Sequence, residues 1–372
     1  MNRLRSNAIR VSFACATALW LLAPTSARAS FIAGPRSVGA FQSEDDGRCH
    51  AVVAQTSGGI VDVTYDCRSS TVLSTTVLAR INGPVAIAGY YSPNDQFRHA
   101  MVGTAAGDLF DVRYKPNLAP APIRLTNIHG YGPIKSLAAW TDSHNRQNLA
   151  ILTTWLNAQV ASVWQAAPGQ VGDMHYLAMY PGNDYIDIAG EYIIWDDTNK
   201  IQLAHGSPSA MQMISWHSSI VPDQWNIDVD FAGTNTPWVT DFPANADAPE
   251  TIVSMGANGG FFSDYTPWSG TGTIVTGFID SNNAIKIFRA VNGGGTMAPG
   301  SLQLGNSCSR FIRCIRAQSI AGPHFTDLRY GPIPRIQMVV ALSDGRLQAL
   351  SASQPGYPSA SPSYDWISLG SF

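Results

Sequence analysis

The sequence predicts an all-β fold built from a repeated unit of about 45–50 residues. Residues 50–66 (HAVVAQTSGGIVDVTYD) and 99–115 (HAMVGTAAGDLFDVRYK) align without a gap, 49 residues apart, and are identical at seven of 17 positions. The 33 glycines and 23 prolines are spread along the whole chain, and no long segment has the 3.6-residue period of an amphipathic helix. Short strands joined by turns are therefore expected throughout.

Each copy of the repeat has the pattern of a β-hairpin. In the first copy an apolar strand at 50–54 is followed by a turn at 56–59 and by an alternating strand at 60–65. The second copy turns at 105–108, and a third copy follows at 148–165. The hairpin is thus the conserved part of the unit.

A strand rich in small residues precedes the hairpin, and a weaker strand follows it. Residues 83–91 and 132–140 match at the same offset of 49, and Ala86, Ala88 and Gly89 are small enough for a crowded inner strand. Residues 121–125 are a candidate fourth strand. The unit therefore has four strands.

Further hairpins extend this period along the chain. They are predicted at 192–204, 227–242, 273–288 and 336–350. Four-stranded units at this spacing indicate a β-propeller, in which each sheet is covered by its neighbours. The spacing predicts seven blades, with six as the alternative, in a single domain at 30–372.

The first 29 residues have the features of a secretory signal peptide. Basic residues come first, 11–23 are mostly apolar, and Ala27-Arg28-Ala29 is a small-x-small cleavage site. The mature chain is then expected to begin at Ser30, to have no transmembrane segment, and to be secreted or periplasmic. Its oligomeric state is not predicted.

Four of the five cysteines follow this segment and are expected to form disulfides. Three pairings are possible, and local closure favours Cys49–Cys67 and Cys308–Cys314. The first bridge would join the open end of the first hairpin. Metal binding is the weaker alternative, because no Cys-x-x-Cys motif or histidine cluster accompanies the cysteines.

Composition excludes several classes of function. Charged residues are 13% of the chain and the net charge is −3, without the basic stripe that nucleic-acid binding requires. Hydrophobic residues are 45%, which excludes a disordered chain. No phosphate loop, nucleophile elbow or metalloprotease motif occurs, and no cofactor or metal is expected.

Three segments resemble bacterial seven-bladed β-propeller lectins. Residues 160–169 (VASVWQAAPG) resemble their blade-ending strand and Pro-Gly turn, 344–350 (DGRLQAL) their strand entry, and 366–370 (WISLG) their outer strand. The resemblance implies a propeller that binds fucose or O-methylated sugars between its blades.

Aromatic side chains beside polar turns are the candidate ligand contacts. Aromatic faces stack on the C–H surfaces of sugars, while amides or carboxylates bind the hydroxyls. The predicted ligand-binding residues are Trp140, Trp195, Asp196, Trp216 and Trp268.

The repeated His50/His99 and Asp62/Asp111 positions are predicted to serve the scaffold, since equivalent positions around a propeller usually do. No catalytic residue is assigned. We therefore expect an exported module that binds a carbohydrate or cell-surface glycan. The alternatives are a polysaccharide hydrolase or lyase, which needs converging carboxylates, and a protein-interaction scaffold.

Overall fold

The fold was analysed in a computed structural model. The residues it describes are 35–67, 69–125, 132–156, 158–181, 185–193, 197–205, 210–222, 228–229, 252–263, 272–280, 284–291, 294–297, 302–303, 317–325, 335–353 and 363–371. All of them belong to one compact unit, Ile32–Phe372. The predicted signal peptide at 1–29 lies outside the described residues. Within these ranges, no helix has the length and apolar character needed to cross a membrane.

The described elements are all strands. The first sheet contains β1 (Pro35–Gln42), β2 (Cys49–Gln55), β3 (Gly59–Tyr65) and β4 (Val72–Arg80). The second contains β5 (Pro84–Ser92), β6 (Phe97–Thr104), β7 (Leu109–Tyr114) and β8 (Ala121–Leu125). The third contains β9 (Ile134–Thr141), β10 (Gln147–Trp155), β11 (Ala158–Ala166) and β12 (Asp173–Pro181).

The second half of the chain continues the pattern. The fourth group contains β13 (Tyr185–Ile193), β14 (Thr198–His205), β15 (Ala210–His217) and β16 (Asp228–Val229). The fifth contains β17 (Ile252–Ser263), β18 (Gly272–Asp280), β19 (Ala284–Val291), β20 (Gly294–Met297) and β21 (Leu302–Gln303). The sixth contains β22 (Ala317–Phe325), β23 (Arg335–Leu342), β24 (Arg346–Ser353) and β25 (Ser363–Ser371).

Each group is an antiparallel meander in which consecutive strands pair. The fourth and fifth groups are linked into one sheet by a single parallel pair, Glu191 with Gly259, and β21 pairs with β19 beside β20. The first strands of the groups contact one another in the order β1, β5, β9, β13, β17, β22 and back to β1. Four-stranded meanders whose inner strands follow one another in this way are the arrangement of a β-propeller.

The described strands form six groups, whereas the spacing of the hairpins predicted seven blades, with six as the alternative. The difference arises at 227–242, where the sequence predicted a separate hairpin. The structure pairs β16 with β15, so this strand is the fourth of its group. Residues 230–251 lie outside the described ranges.

The predicted hairpins are confirmed in the first three sheets, and their burial shows why they recur. Every residue of β2 and β3 is buried, including the polar residues His50, Gln55 and Asp62. Most of the outer strand β4 is exposed. Inner and middle strands are thus covered on both faces, and apolar clusters fill the spaces between the first four sheets.

The prediction of a crowded inner strand is also confirmed. A Cβ added to Gly39 on β1 would lie 2.8 Å from the backbone nitrogen of Gly89 and 2.9 Å from Cα of Ala88 on β5. Backbone atoms cannot swing aside as a side chain does. Small residues therefore set the spacing between the first two sheets.

The disulfide predicted for the first hairpin is present. Cys49 begins β2 and Cys67 follows β3, with their sulfur atoms 2.00 Å apart and their Cα atoms 5.1 Å apart. The bridge joins the open end of the hairpin. The predicted partners Cys308 and Cys314 lie outside the described residues, and their bridge stays a prediction.

We expect Gly39→Ala to lower the free energy of unfolding by about 1–3 kcal/mol, because the new methyl group forces two inner strands apart. Urea denaturation followed by circular dichroism measures the loss. Ala40→Ser is the control, since this neighbouring side chain is only half-buried on the other side of the strand. Equal stability of Gly39→Ala and the parent protein would contradict the close approach.

We expect the double variant Cys49→Ala/Cys67→Ala to lose roughly 3 kcal/mol of unfolding free energy, as chain-entropy arguments give for a loop of this length. The two cysteines are 18 residues apart. Urea denaturation without reductant tests this, and mass spectrometry of non-reduced peptides checks that the parent carries the bridge. An unchanged denaturation midpoint and slope would refute the stabilising role.

Candidate functional site

The repeated histidine and aspartate form a buried pair in each of the first two sheets. His50 Nδ1 lies 3.0 Å from Asp62 Oδ2, and His99 Nδ1 lies 2.9 Å from Asp111 Oδ1. Each imidazole stacks on an aromatic ring of the inner strand: the centroid distance is 5.1 Å for Phe41–His50 and 4.7 Å for Tyr90–His99. These contacts support the predicted scaffold role of the pair.

In the second sheet, the pair extends to the surface at both ends. His99 Nε2 lies 3.2 Å from Asp95 Oδ2, and Arg113 Nε donates to Asp111 Oδ2 at 2.8 Å. The side chains of His99 and Asp111 are 0% and 1% exposed, whereas those of Asp95 and Arg113 are 28% and 38% exposed. The four side chains therefore form a continuous row of charged or titratable groups. Its two middle members are buried, and its two end members are partly exposed.

The network shifts the pKa values of His99 and Asp95. Burial alone would lower the pKa of His99, but the hydrogen bonds and negative charges of Asp111 and Asp95 outweigh burial and raise it. Burial would raise the pKa of Asp95, and the hydrogen bond and charge of His99 reverse this and lower it. Charged imidazolium between two carboxylates is thus the favoured state.

A pocket of about 600 Å³ lies between the second and third sheets, over the two surface ends of this network. Its lining combines charged, amide and apolar groups from the β5–β6 loop, β7, β8, the start of β10, and β11 with the turn that follows it. The lining residues are Asn94, Asp95, Arg113, Arg124, Leu125, Gln147, Trp164 and 166–172.

The wall on the third sheet is formed by the end of β11 and its turn. A Cβ on Gly172 would lie 2.1 Å from Cε2 of Trp164, so only glycine lets the chain pass this close to the indole. The turn is closed by a hydrogen bond of 3.0 Å from the backbone nitrogen of Gln170 to the carbonyl oxygen of Ala167. The segment at 160–169 that resembles the lectins therefore bounds the pocket.

The corresponding position between the first and second sheets is filled by an arginine. Arg98 stands 49 residues before Gln147 and is 5% exposed. Its Nη2 lies 2.8 Å from Asp45 Oδ2 and 2.8 Å from Asp46 Oδ2. Gln147 is shorter and neutral, and its Nε2 donates to Ser92 Oγ at 3.2 Å. The exchange of arginine for glutamine leaves space for the pocket.

Polar side chains also satisfy one another between the third and fourth sheets. Asp142 Oδ2 accepts from Arg146 Nε at 3.0 Å within the third sheet and from Asn199 Nδ2 of the fourth sheet at 3.4 Å. Asp197 Oδ1 accepts from Ser143 Oγ and from the Tyr192 hydroxyl, each at 2.7 Å. Hydrogen bonds from Ser218, Tyr192 and Ser143 hold the pKa of the Asp197 carboxyl well below its usual range.

Two of the predicted ligand-binding residues lie in the core. Trp140 and Trp216 are 7% and 1% exposed, and their ring centroids are 6.2 Å apart in the apolar cluster between the third and fourth sheets. Trp140 Nε1 donates to Asn199 Oδ1 at 2.8 Å. Neither lines the pocket. Trp195, Asp196 and Trp268 lie outside the described residues, and their ligand contacts stay predictions.

Sequence reasoning did not single out Asp95, Arg113, Gln147 or Trp164 as site residues. Trp164 was within the segment that carries the lectin resemblance. A residue-by-residue comparison of the repeats also contains a signal, because Arg98 of one copy becomes Gln147 of the next. The consequence of that exchange follows only from the structure, which shows that Arg98 contacts two aspartates.

Comparison of the sequence with protein-family models and with curated proteins finds no match. Comparison with solved structures finds likeness to lectins. AofleA from Arthrobotrys oligospora has a TM-score of 0.55 at 10% identity over 91% of this chain and 88% of that one. The SapL1 lectin in complex with α-methyl fucoside has a TM-score of 0.51 at 12% identity, covering 92% and 96%.

A mutant of the Aleuria aurantia lectin in complex with Fucα1-6GlcNAc has a TM-score of 0.50 at 12% identity, covering 89% of this chain and 94% of that one. At these identities the likeness is one of fold. It agrees with the strand order and contacts above, and the chain has an all-β, propeller-like fold of four-stranded sheets.

We expect the buried His–Asp pairs to make stability depend on pH. Burial would lower the pKa of His50, but the charge and hydrogen bond of Asp62, together with the nearby Asp46 carboxylate, raise it. A raised folded-state pKa gives stability that is complete below about pH 6.5, the value of the unfolded chain, and is lost as pH rises through the folded-state pKa. His50→Asn should therefore cost most below this pH, about 2 kcal/mol, and less at higher pH. Urea denaturation from acidic to alkaline pH measures this, and a pH-independent difference from the parent would contradict it.

Proposed function

We propose that this protein is a carbohydrate-binding module and that the pocket between the second and third sheets takes the glycan. The supporting observation is the lining of this pocket, which combines an indole and aliphatic groups with two arginines, a carboxylate and amides. Its volume of about 600 Å³ suits a small ligand such as a mono- or disaccharide.

The polar groups have the chemistry that sugar hydroxyls require. Among the described residues, Arg113 uses Nε to bond Asp111, which leaves the donors on its terminal nitrogens available. Asp95 offers carboxylate oxygens as acceptors, and Gln147 offers an amide. Leu125 and the exposed Val171 present apolar surface to the C–H groups of a sugar ring, and Trp164, which is 7% exposed, adds a smaller contact from the apolar cluster beneath the pocket.

The ligands of the structural neighbours suggest which glycans to test first. SapL1 is in complex with a fucoside, and the Aleuria aurantia lectin mutant is in complex with a fucosylated N-acetylglucosamine. We propose that the ligand here is a fucose-containing or related glycan. We further propose a six-bladed propeller, since the inner strands of the six groups contact in cyclic order.

Binding is preferred to cleavage because of the carboxylates. Hydrolysis of a glycosidic bond canonically uses two carboxyl groups that flank it. Among the described lining residues one is a carboxylate, Asp95, and it is already bonded to His99. Export to the periplasm or the outside is part of the proposal, supported by the predicted signal peptide and the Cys49–Cys67 bridge.

We expect Gln147→Arg to abolish glycan binding without unfolding the protein. The introduced guanidinium would pair with Asp95 and occupy the pocket, as Arg98 does with Asp45 and Asp46 in the preceding sheet. The measurement is a glycan array on the chain expressed from Ser30, followed by calorimetric titration with methyl α-L-fucoside or the best array glycan.

The reciprocal substitution Arg98→Gln is the matched control and should leave affinity within about twofold, because it alters a different pair of sheets. Absence of binding to any glycan by the parent protein would refute the proposed function. Full binding by Gln147→Arg would place the site elsewhere. Release of reducing ends from a polysaccharide would favour an enzyme instead.

A further inference from the structure

We propose that protonated His99 positions Asp95 and Arg113 in the pocket from beneath, so that ligand binding weakens when His99 loses its proton. This inference rests on the proposed function, because it concerns the same pocket. It assigns a positioning residue and a pH dependence to that site.

The geometry links the two pocket groups through His99. Its Nε2 faces Asp95 at 3.2 Å and its Nδ1 faces Asp111 at 2.9 Å. Asp111 in turn accepts from Arg113 Nε at 2.8 Å. With His99 protonated, negative and positive charges alternate along the four residues. Both imidazole nitrogens then donate, and every group in the chain has a partner of opposite charge.

The surroundings of His99 contain few other titratable groups. Tyr90 on β5 stacks on the imidazole at an interplanar angle of 9° and is itself buried. Asp95 comes from the β5–β6 loop, and Asp111 and Arg113 come from β7. From the neighbouring sheet, the neutral Gln147 places Nε2 at 3.5 Å from Asp95 Oδ2. The two carboxylates therefore dominate the electrostatics of His99.

Loss of the proton affects the two carboxylates unequally. A neutral imidazole has one N–H and can no longer donate to both. Asp111 is 1% exposed and cannot be hydrated, whereas Asp95 is 28% exposed and can be. The remaining N–H therefore stays with Asp111. Asp95 then faces a nitrogen lone pair and turns toward water, away from its position in the pocket.

Among the described residues, the first sheet contains the same pair, but Asp62 and Asp46, which face His50, do not line the pocket. His50 Nδ1 bonds Asp62, but Nε2 lies 3.7 Å from Asp46, beyond hydrogen-bond distance. In strand pairing, His50 lies opposite Thr64, whereas His99 lies opposite Arg113. His50 is therefore a matched control for the scaffold role of the pair. In the third sheet Asn148 occupies this position, so asparagine fits the backbone there.

The experiment measures affinity against pH for the parent, His99→Asn and His50→Asn. The probe is methyl α-L-fucoside, or the best array glycan, titrated by calorimetry from about pH 5.5 to 9. The parent should bind about tenfold more weakly once His99 is neutral, the loss expected for one charge-assisted contact. His99→Asn should bind about tenfold more weakly at low pH and show no dependence on pH in this range. His50→Asn should follow the parent.

A second measurement needs no ligand. The imidazole Cε1 proton resonances of His99 and His50, assigned by the two variants, give their pKa values by NMR. Asp95→Asn should lower the pKa of His99 and leave that of His50 unchanged. An unchanged His99 pKa would overturn the coupling.

The outcomes separate the two proposals. Failure of the parent to bind any glycan at any pH refutes the proposed function. Binding by the parent that stays constant while His99 titrates overturns the present inference alone. Equal weakening by His50→Asn and His99→Asn would show a general scaffold effect and would also overturn it.

Discussion

The rest of the structure depends on the burial of each sheet between its two neighbouring sheets. Strands β2 and β3 are buried along their whole length, and inner strands approach so closely that Gly39 of β1 has no room for a Cβ beside Gly89 of β5. Burial on both faces also removes water from the polar side chains at the strand ends. Each of these side chains then needs a partner within the protein.

Whether side chains fill the space between two sheets depends on which partners these polar side chains bind. Arg98 binds two aspartates between the first and second sheets, and Asp197 accepts from Ser143 between the third and fourth. Between the second and third sheets, Gln147 stands where the preceding copy has arginine. The remaining charges, on Asp95 and Arg113, therefore border a cavity instead of filling it.

The sequence predicted local structure well but did not predict the pocket between the second and third sheets, for one physical reason. Hairpins, the Cys49–Cys67 bridge and the small inner-strand residues depend on neighbours close in the chain or on a period within it. The pocket depends on contacts between sheets about 50 residues apart, which periodicity does not specify. Trp140 and Trp216 show the same limit: polar turns nearby suggested ligand contacts, yet their packing partners bury them. The number of groups likewise depended on the pairing of β16 with β15.

His99 shows how a repeat position can acquire a role without changing its residue. The first and second copies keep the histidine and the aspartate, with an aromatic ring stacked on the imidazole in each, because the buried strands require a satisfied pair. The two copies differ in the residues around the pair. Opposite the histidine, the first copy has Thr64 and the second has Arg113. In the second copy Asp95 contacts the imidazole, whereas the equivalent Asp46 of the first copy pairs with Arg98. Identity between repeat copies therefore does not by itself assign a residue to the scaffold. The groups that contact it in each copy determine whether its charge reaches a surface.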